Sequence, residues 1–313
     1  MSFGEQSDLL LQRGLKLSHL RMLAGLKETG QISLAAEQIG ITQPAASRLL
    51  AEIERIVGMP VHVRTGRGAA LTPVGEALAR RAQRVQMELR DATRDMAEIA
   101  AGGVGHVRIG SVTGPALDRV LPALRTARMS HPSVTAEVIV ATSDILCQQL
   151  LVGRIDFAVA RLPETPDRTL LEGRIIATEP VSLVARRDHP LMGRVKINPI
   201  DLLDFDWVMP GPEFLLTRAV LGRLSAHGLP HPSQRLSTAS FLLTLALLQQ
   251  SNAIAPVATA VANSFAGTPD APYAKVPVDL GIEVEPFCLI TRASMALTPV
   301  AQQLADQIMA HQA

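Results

Sequence analysis

Three polar side chains, Gln43, Ser47 and Arg48, lie where a short helix is predicted to begin, and their chemistry suits the edges of DNA bases. Glutamine matches adenine, arginine matches guanine, and serine suits a phosphate or either base. All three point outward from the N-terminal half of the helix, which is the part that a recognition helix presents to the major groove. Thr42 is predicted to cap this helix, and Pro44 lies in its first turn, where a missing N–H costs nothing. These five residues are candidate DNA-binding residues.

The surrounding sequence, ISLAAEQIGITQPAASRLLAEIE, predicts two short helices joined by a tight turn. Ser33 is the expected N-cap of the first helix and is included among the DNA-binding candidates, and Gly40 gives the turn its backbone freedom. Apolar spacing predicts the inner faces as Ala35, Ala36 and Ile39 in the first helix and Ala45, Leu49, Ile53 and Ile56 in the second. The alternative is an ordinary helical hairpin with a solvated polar face, so the flanking sequence must decide.

The flanking sequence favours DNA binding. Residues 17–28 predict a third helix, and residues 61–71 predict a two-stranded wing whose Arg64 and Arg67 would reach phosphates. Residues 13–85 carry 11 Lys/Arg against 5 Asp/Glu, whereas the rest of the chain carries 19 against 24. Positive charge kept in one quarter of a nearly neutral chain fits a nucleic-acid module joined to something else.

A long helix is predicted over residues 73–101, with Thr72 as its cap and Pro73 at its first position. Apolar residues recur at alternating spacings of four and three, as in a coiled coil: Leu78, Ala82, Val85, Leu89, Ala92, Met96 and Ile99. This pattern favours pairing with a second helix, and the alternative is an amphipathic helix packed on its own domain. Three glycines, Gly102, Gly103 and Gly105, follow the helix and predict a hinge and a domain boundary.

Beyond the glycines, strands and helices alternate, which predicts an α/β domain with a parallel sheet covered on both faces. The first βαβαβ unit spans residues 106–160, and the pattern recurs less cleanly up to a last helix over 299–310, capped by Thr298. The predicted domains are a winged helix–turn–helix (1–72), a linker or dimerisation helix (73–104) and a two-lobe effector-binding domain (105–313), with lobe I at about 105–179 and 293–313 and lobe II at about 180–292.

Hydroxyl side chains follow the predicted strands at the points where helices begin. The candidate effector-binding residues are Ser111, Thr113, Thr142 and Ser143 in the first lobe and Thr238 and Ser240 in the second. Ligands of open α/β sheets bind beyond the carboxyl ends of the strands, where helix N-termini present free N–H groups. Hydroxyls and amides with few charges suit a small anion or a polyol. The alternative is that each hydroxyl only caps its helix.

Several other classes of function are not supported. The sequence contains no HExxH, GxxxxGK[ST], GxSxG or full GxGxxG motif, so neither an enzyme nor a cofactor or metal site is expected. Cys147 and Cys288 are expected to be buried apolar residues, with a redox switch as the alternative. The cysteine usage and the absence of an N-terminal signal or a long apolar run predict a cytoplasmic protein without a membrane partner. The competing class is an α/β small-molecule binding protein or enzyme with an N-terminal helical oligomerisation arm.

The whole chain resembles the LysR-type transcriptional regulators, through AAEQIGITQPAASRLLAEIE, the arginine wing, LTPVGEAL, the long helix and the two-lobe remainder. The resemblance implies a winged helix–turn–helix that binds double-stranded operator DNA, and homodimers paired through the linker helices, often assembled into homotetramers. It also implies a periplasmic-binding-protein-like domain that holds a small-molecule inducer between its lobes. By motif, Gln43, Ser47 and Arg48 become base-reading or phosphate-contacting residues, and Ser111, Thr113 and Thr142 become inducer contacts.

The chain departs from the family pattern at the wing. Where the family usually has a Leu-Phe pair ahead of the wing arginine, this chain has Val61-His62 before Val63-Arg64. The wing is therefore expected to be anchored differently. The effector half resembles, more loosely, the branch that regulates sugar-binding-protein genes, so the inducer is expected to be a sugar or a small organic acid.

Overall fold

The computed structural model describes residues 9–66, 68–100, 105–130, 132–233, 236–293 and 295–311. The chain divides into two compact units, with the boundary between Ala97 and Glu98. The predicted wing residue Arg67 and the glycines Gly102 and Gly103 lie outside the described residues.

The N-terminal unit contains the three helices and the hairpin that the sequence predicts. Its helices are α1 (Leu9–Gln12), α2 (Leu17–Thr29), α3 (Ile32–Ile39), α4 (Gln43–Val57) and α5 (Pro73–Ala100), and its strands are β1 (His62–Thr65) and β2 (Gly68–Leu71). The strands are antiparallel, with Arg64 opposite Ala69. The buried core draws on helices α2 to α5, on β2 and on Val61 just before β1: Met22, Leu23, Leu26, Ala35, Ala36, Ala46, Leu50, Ile53, Val61, Ala69 and Ala79.

Two details of the helix–turn–helix differ from the sequence prediction. Helix α3 begins two residues earlier than expected, so Gln31 is its N-cap and the exposed Ser33 lies inside its first turn. The face of α4 that is fully buried contains Ala46 and Leu50, whereas Ala45 and Leu49 are only half-buried. Ala45 and Leu49 are each one position, or about 100°, from Ala46 and Leu50, and apolar spacing alone does not separate the centre of a wide stripe from its edge.

Helix α5 leaves much of its predicted apolar seam uncovered within one chain. Ala82 is buried, but Val85 is 40%, Leu89 48% and Met96 64% exposed. The side chain of Ile99 lies outside the described residues. Thr72 precedes the helix and accepts a hydrogen bond from Gly75 N at 3.1 Å, as expected of a cap.

The C-terminal unit is a mixed α/β structure. Its strands are β3 (His106–Ser111), β4 (Thr135–Val140), β5 (Phe157–Ala160), β6 (Leu171–Arg186), β7 (Val208–Met209), β8 (Leu236–Ser237), β9 (Ala255–Ala258), β10 (Tyr273–Lys275) and β11 (Glu283–Arg292). Its α-helices are α6 (Thr113–Pro115), α7 (Leu121–Ser130), α8 (Ser143–Leu151), α9 (Leu215–Ala226), α10 (Phe241–Gln250), α11 (Thr259–Ala266) and α12 (Pro299–Ala310). A π-helical turn, Ala116–Val120, joins α6 to α7.

Strand pairing defines two lobes. In lobe I, β3 pairs in parallel with β4 and β5, as the βαβαβ pattern predicts. The sheet then continues with β11 antiparallel to β5 and with the first part of β6 antiparallel to β11, so a wholly parallel sheet is wrong. In lobe II, the second part of β6 pairs with β9 and β10. Strand β11, predicted as part of lobe II, belongs to the lobe I sheet because most of its residues pair with β5 or the first part of β6.

Candidate DNA-binding surface and effector site

The N-terminal half of α4 displays the residues that were predicted to read DNA. Thr42 occupies the N-cap position in extended conformation, without a side-chain capping bond, and Pro44 lies in the first turn. Thr42, Gln43, Pro44, Ser47 and Arg48 are all exposed, while the opposite face of the helix is buried in the core. Gly40 ends α3 with φ of 74°, a left-handed conformation that favours glycine and turns the chain into α4. The geometry therefore presents an amide, a hydroxyl and a guanidinium on one free helix end.

The wing adds a further exposed cation, Arg64 on β1. Val63 beside it is 50% exposed, whereas Val61 is fully buried and supplies the apolar contact at the base of the hairpin. His62, at the base of the wing, makes a polar contact: its Nδ1 lies 3.1 Å from Oε1 of Glu54 on α4. Sequence reasoning identified the unusual His62 but missed Glu54, its partner.

In lobe I, the carboxyl ends of β3, β4 and β5 come together, as expected. Ser111 lies opposite Val140, and Val112 N donates to Val159 O at 3.0 Å. Thr113, which opens α6, is exposed, and Thr142, the N-cap of α8, is half-buried and makes no side-chain capping bond. Both hydroxyls thus lie at the same sheet edge and remain available to a ligand.

The other two predicted lobe I hydroxyls are engaged within the protein. Ser111 is fully buried, and its hydroxyl donates to Val112 O at 3.0 Å. Ser143 Oγ accepts a hydrogen bond from Arg161 N at 3.1 Å. These two residues shape the loops beside Thr113 and Thr142.

In lobe II, Ser240 caps a helix, as the alternative interpretation anticipated, whereas Thr238 bonds within the loop that precedes it. Ser240 Oγ accepts from Leu243 N at 3.3 Å at the start of α10, and Thr238 Oγ1 accepts from Ser240 N at 3.0 Å. The adjacent Phe241 packs against a buried cluster of lobe II, and Leu117 from the π turn of lobe I packs against the same cluster. Phe241, next to Ser240, and Leu117 of lobe I therefore pack on one common apolar cluster.

Two charged residues at this sheet edge were not predicted. Arg161 directly follows β5 and is 8% exposed. Its guanidinium donates to Glu285 O at 2.8 Å and forms an ion pair of 2.5 Å with Glu179 on β6. Glu179 lies close to Gly114, which follows Thr113, because a Cβ added at Gly114 would overlap Glu179 Oε1. The same Cβ would lie 2.9 Å from the Cβ of Ala258 in lobe II. The ion pair and Gly114 thus lie where the two lobes meet.

Asp118 in the π turn adds a second carboxylate to this region. Burial raises the pKa of the Asp118 carboxyl above its usual value, while the neighbouring Arg119 cation lowers it and the negative charge of Glu179 raises it further. Asp118 Oδ1 is buried without a hydrogen-bond partner among the described residues. An irregular turn that carries a perturbed carboxyl is a frequent feature of ligand sites.

The two cysteines belong to a buried cluster beside β5, and Cys147 Sγ donates to Arg161 O at 3.6 Å. Both are buried and free, and burial raises the pKa of the Cys147 thiol to about 11. Such a thiol is poorly nucleophilic, as expected for a packed apolar residue. Within the described residues, no group of His, Cys, Asp and Glu is suited to hold a metal ion, and no helix is both long and apolar enough to cross a membrane.

Comparison with known proteins identifies both units. The model of the bacterial regulatory helix-turn-helix protein, lysR family, matches residues 17–76, and that of the LysR substrate binding domain matches residues 100–313. The chain belongs to the LysR family of transcriptional regulators. It is similar to the HTH-type transcriptional regulator GbpR of Rhizobium radiobacter, with 43% identity over 80% of this chain and 84% of the relative. GbpR of Azospirillum brasilense is 32% identical over 95% of this chain and 86% of its own length.

Solved structures agree on the fold of this LysR-type regulator. Full-length CbnR complexed with its target DNA has a TM-score of 0.61 and 23% identity, and the match covers 94% of this chain and 99% of that one. A full-length OxyR variant from Pseudomonas aeruginosa has a TM-score of 0.64 and 21% identity, covering 95% and 96% of the two chains. The protein is a DNA-binding transcriptional regulator with an effector-binding domain, and its family consists of regulators, not enzymes.

Proposed function

We propose that the regulator reads its operator with α4 and contacts the phosphate backbone through the wing. Gln43, Ser47 and Arg48 would contact base edges or phosphates, because they are the exposed polar side chains on the N-terminal half of the helix. The phosphate backbone of the DNA would pass the start of α4 at Thr42 and Pro44 and the start of α3 at Ser33. Arg64 supplies a wing cation, and Arg67 would supply another.

The effector site of this proposal lies at the carboxyl ends of β3, β4 and β5, facing lobe II. Thr113 and Thr142 would contact the inducer through hydroxyls that bond to no other group among the described residues, and Thr238 and Ser240 would line the opposite side. Ser111 and Ser143 would hold the loops in shape. The observation that carries this assignment is the buried Arg161–Glu179 ion pair, which places two strong hydrogen-bonding groups beside Thr113 and Gly114 at the lobe junction.

The charges favour a neutral polyhydroxy ligand, such as a sugar, over a small organic acid. Arg161 is already paired with Glu179, and Arg119 lies 3.6 Å from a carboxylate oxygen of Asp118. An anionic inducer would therefore be repelled by the carboxylates of Asp118 and Glu179. Neither Arg119 nor Arg161 would offset this repulsion, because each is already paired with one of these carboxylates. Carboxylates and a guanidinium can instead accept from and donate to sugar hydroxyls.

We propose that the protein forms a homodimer joined through α5 and that two such dimers associate into a tetramer. The uncovered Val85, Leu89 and Met96 support pairing, because a second helix would remove their apolar surface from water. Because a transcriptional regulator must reach its operator DNA, we propose that the protein acts in the cytoplasm.

Two measurements on the purified full-length chain test this function. Selection of bound duplexes from a random pool should enrich a defined sequence, and a failure to enrich any sequence would refute operator reading by α4. A thermal-shift screen should show stabilisation by neutral sugars or polyols, since a ligand that binds the folded state raises the melting temperature. Stabilisation by organic anions alone would overturn the assignment of a neutral ligand and leave the operator result unaffected.

A further inference from the structure

The unusual His62 of the wing belongs to a polar contact that reaches back to the recognition helix. Glu54 on α4 directs one oxygen, Oε1, to two groups at the start of the wing. Val61 N donates to it at 3.0 Å, and His62 Nδ1 lies 3.1 Å from it. The Glu54 and His62 side chains are 30% and 19% exposed, so the contact is partly shielded from water.

The opposite edge of the wing is fixed by backbone groups instead. Ala69 N on β2 donates to Gly30 O, just after α2, at 2.9 Å. A Cβ added at Gly68 would lie 2.5 Å from the same oxygen, so the two backbones are in close contact. The β2 edge is therefore held by α2, whereas the carboxylate of Glu54 links the β1 edge to α4.

Strand β1 carries Arg64 two residues after His62, and side chains two apart on a strand point to the same face. A change at the base of β1 would therefore move the cation that lies further along it. We propose that Glu54 is a positioning residue of the DNA-binding unit, which sets the wing, and with it Arg64, in a fixed relation to the base-reading end of α4. This inference rests on the proposed contacts of α4 and Arg64 with DNA.

The test measures both the wing and its effect on DNA. The full-length chain is titrated against a fluorescein-labelled mixed-sequence duplex at several salt concentrations, because phosphate contacts are independent of sequence. Glu54→Ala should weaken binding by about three- to tenfold and flatten the slope of log K against log salt by up to about one unit, as the loss of one phosphate contact would. Glu54→Gln, which keeps an oxygen acceptor for Val61 N, should restore most of the affinity.

A double-mutant cycle with Arg64→Ala identifies the route of the effect. If Glu54 acts through the wing, Glu54→Ala should cost little in the Arg64→Ala background, since coupled residues are not additive. Full additivity of the two losses would overturn the proposal. Glu52→Ala is the matched control, because Glu52 lies on the same helix but faces His19 on α2 at 3.4 Å.

Hydrogen exchange of wing peptides gives a readout that does not involve DNA. Exchange at residues 61–65 should rise in Glu54→Ala and stay near wild type in Glu54→Gln and in the Glu52→Ala control. Unchanged exchange in folded Glu54→Ala would overturn the positioning role. Arg64→Ala alone tests the phosphate contact, so an unaltered salt slope in that variant would refute the proposed wing contact, while the exchange data would still decide whether Glu54 holds the wing.

Discussion

The side chains at the free end of α4 differ in what they would contribute to binding. Arg48 is exposed and can place its planar fork against guanine, whereas Arg64 on the wing would meet only the phosphate backbone. A base contact supplies discrimination between sequences, and a phosphate contact supplies affinity that salt weakens. Removal of Arg48 and removal of Arg64 should therefore have different effects on DNA binding.

Arg48→Ala should weaken binding to the selected operator by about 1–3 kcal/mol and relax the preference at one base position. Arg64→Ala should instead weaken binding to operator and random duplexes equally and flatten the salt dependence. Fluorescence anisotropy with both duplexes, followed by a repeated selection with the Arg48→Ala chain, measures these effects. Unchanged affinity of Arg48→Ala for both duplexes would show that α4 does not read bases through this residue.

The negative charge of Asp118 lowers the stability of the folded chain. Its pKa is raised chiefly by burial, so the ionised form is less favourable in the folded than in the unfolded chain. The stability that depends on this group is complete below the ordinary aspartate pKa and falls as the pH rises through the raised value. Retention of such a group is typical of sites that bind ligands at the expense of stability.

Asp118→Asn should therefore raise the melting temperature at pH 7.5, and the gain should shrink as the pH is lowered toward 4. Thermal unfolding followed by circular dichroism across this range measures the difference. The same variant should respond less to the inducer if the carboxylate accepts from a ligand hydroxyl. A variant that is less stable than wild type at pH 7.5 would mean that the Asp118–Arg119 pair outweighs the cost of burial.

Among the elements, α5 leaves apolar surface uncovered to an extent that predicts a partner. Val85 and Leu89 belong to the apolar seam of α5, the residues that recur at alternating spacings of four and three. Their side chains are close to half exposed in the single chain. The double variant Val85→Asp/Leu89→Asp should dissociate the pair, because unpaired charges in an apolar seam are costly to desolvate. High-affinity operator binding should be lost with it, since two half-sites need two joined recognition helices.

Analytical ultracentrifugation and operator titration check this prediction. The matched control is Arg81→Asp/Glu88→Asp, which also places two aspartates on the helix but at exposed polar positions beside the seam, and it should keep the dimer. Wild-type mass and intact operator binding in the seam variant would refute pairing through α5.

Elements with strong local signals were predictable, and elements paired over long distances were not. Helix α12 was placed correctly because Thr298 and Pro299 mark its start, and the structure gives Thr298 Oγ1 a bond from Ala301 N. The first part of β6 was missed because charged residues and Pro180 interrupt its pattern. Pro180 lies where β6 changes partner from β11 to β9, a position at which a missing N–H is tolerated.

The same contrast applies to the effector site. Thr113 and Thr142 were proposed because they follow recognisable strands, and Arg161 follows β5 in the same way, so this signal could have included it. Glu179 could not be found, because its strand was not predicted and its pairing with Arg161 depends on the fold. Capping by Ser240 was weighed as an alternative, but only the geometry of α10 shows its bond to Leu243 N.

At the scale of the whole molecule, a ligand between the lobes would act by favouring one arrangement of lobe I and lobe II over another. Leu117 and Gly114 of lobe I already pack near lobe II, so the junction is tight enough for a small ligand to touch both sides. The resulting shift in DNA response can be no larger than the difference in ligand affinity between the two arrangements. Residues that contact the ligand should therefore alter the response without altering basal DNA binding.

Thr142→Val keeps the shape of the side chain and removes one hydroxyl, which should cost about 0.5–1.5 kcal/mol of inducer binding. The variant should bind DNA as wild type does and need up to roughly tenfold more inducer to respond. Thr298→Val is the matched control, since that threonine also caps a helix but bonds Ala301 N on α12, so it should lower stability and leave inducer affinity unchanged. Calorimetry on the full-length chain, with the sugar or polyol identified by thermal shift, measures the affinities. If Thr113→Val and Thr142→Val both bind that ligand as tightly as wild type, the inducer binds elsewhere and these hydroxyls serve only the starts of α6 and α8.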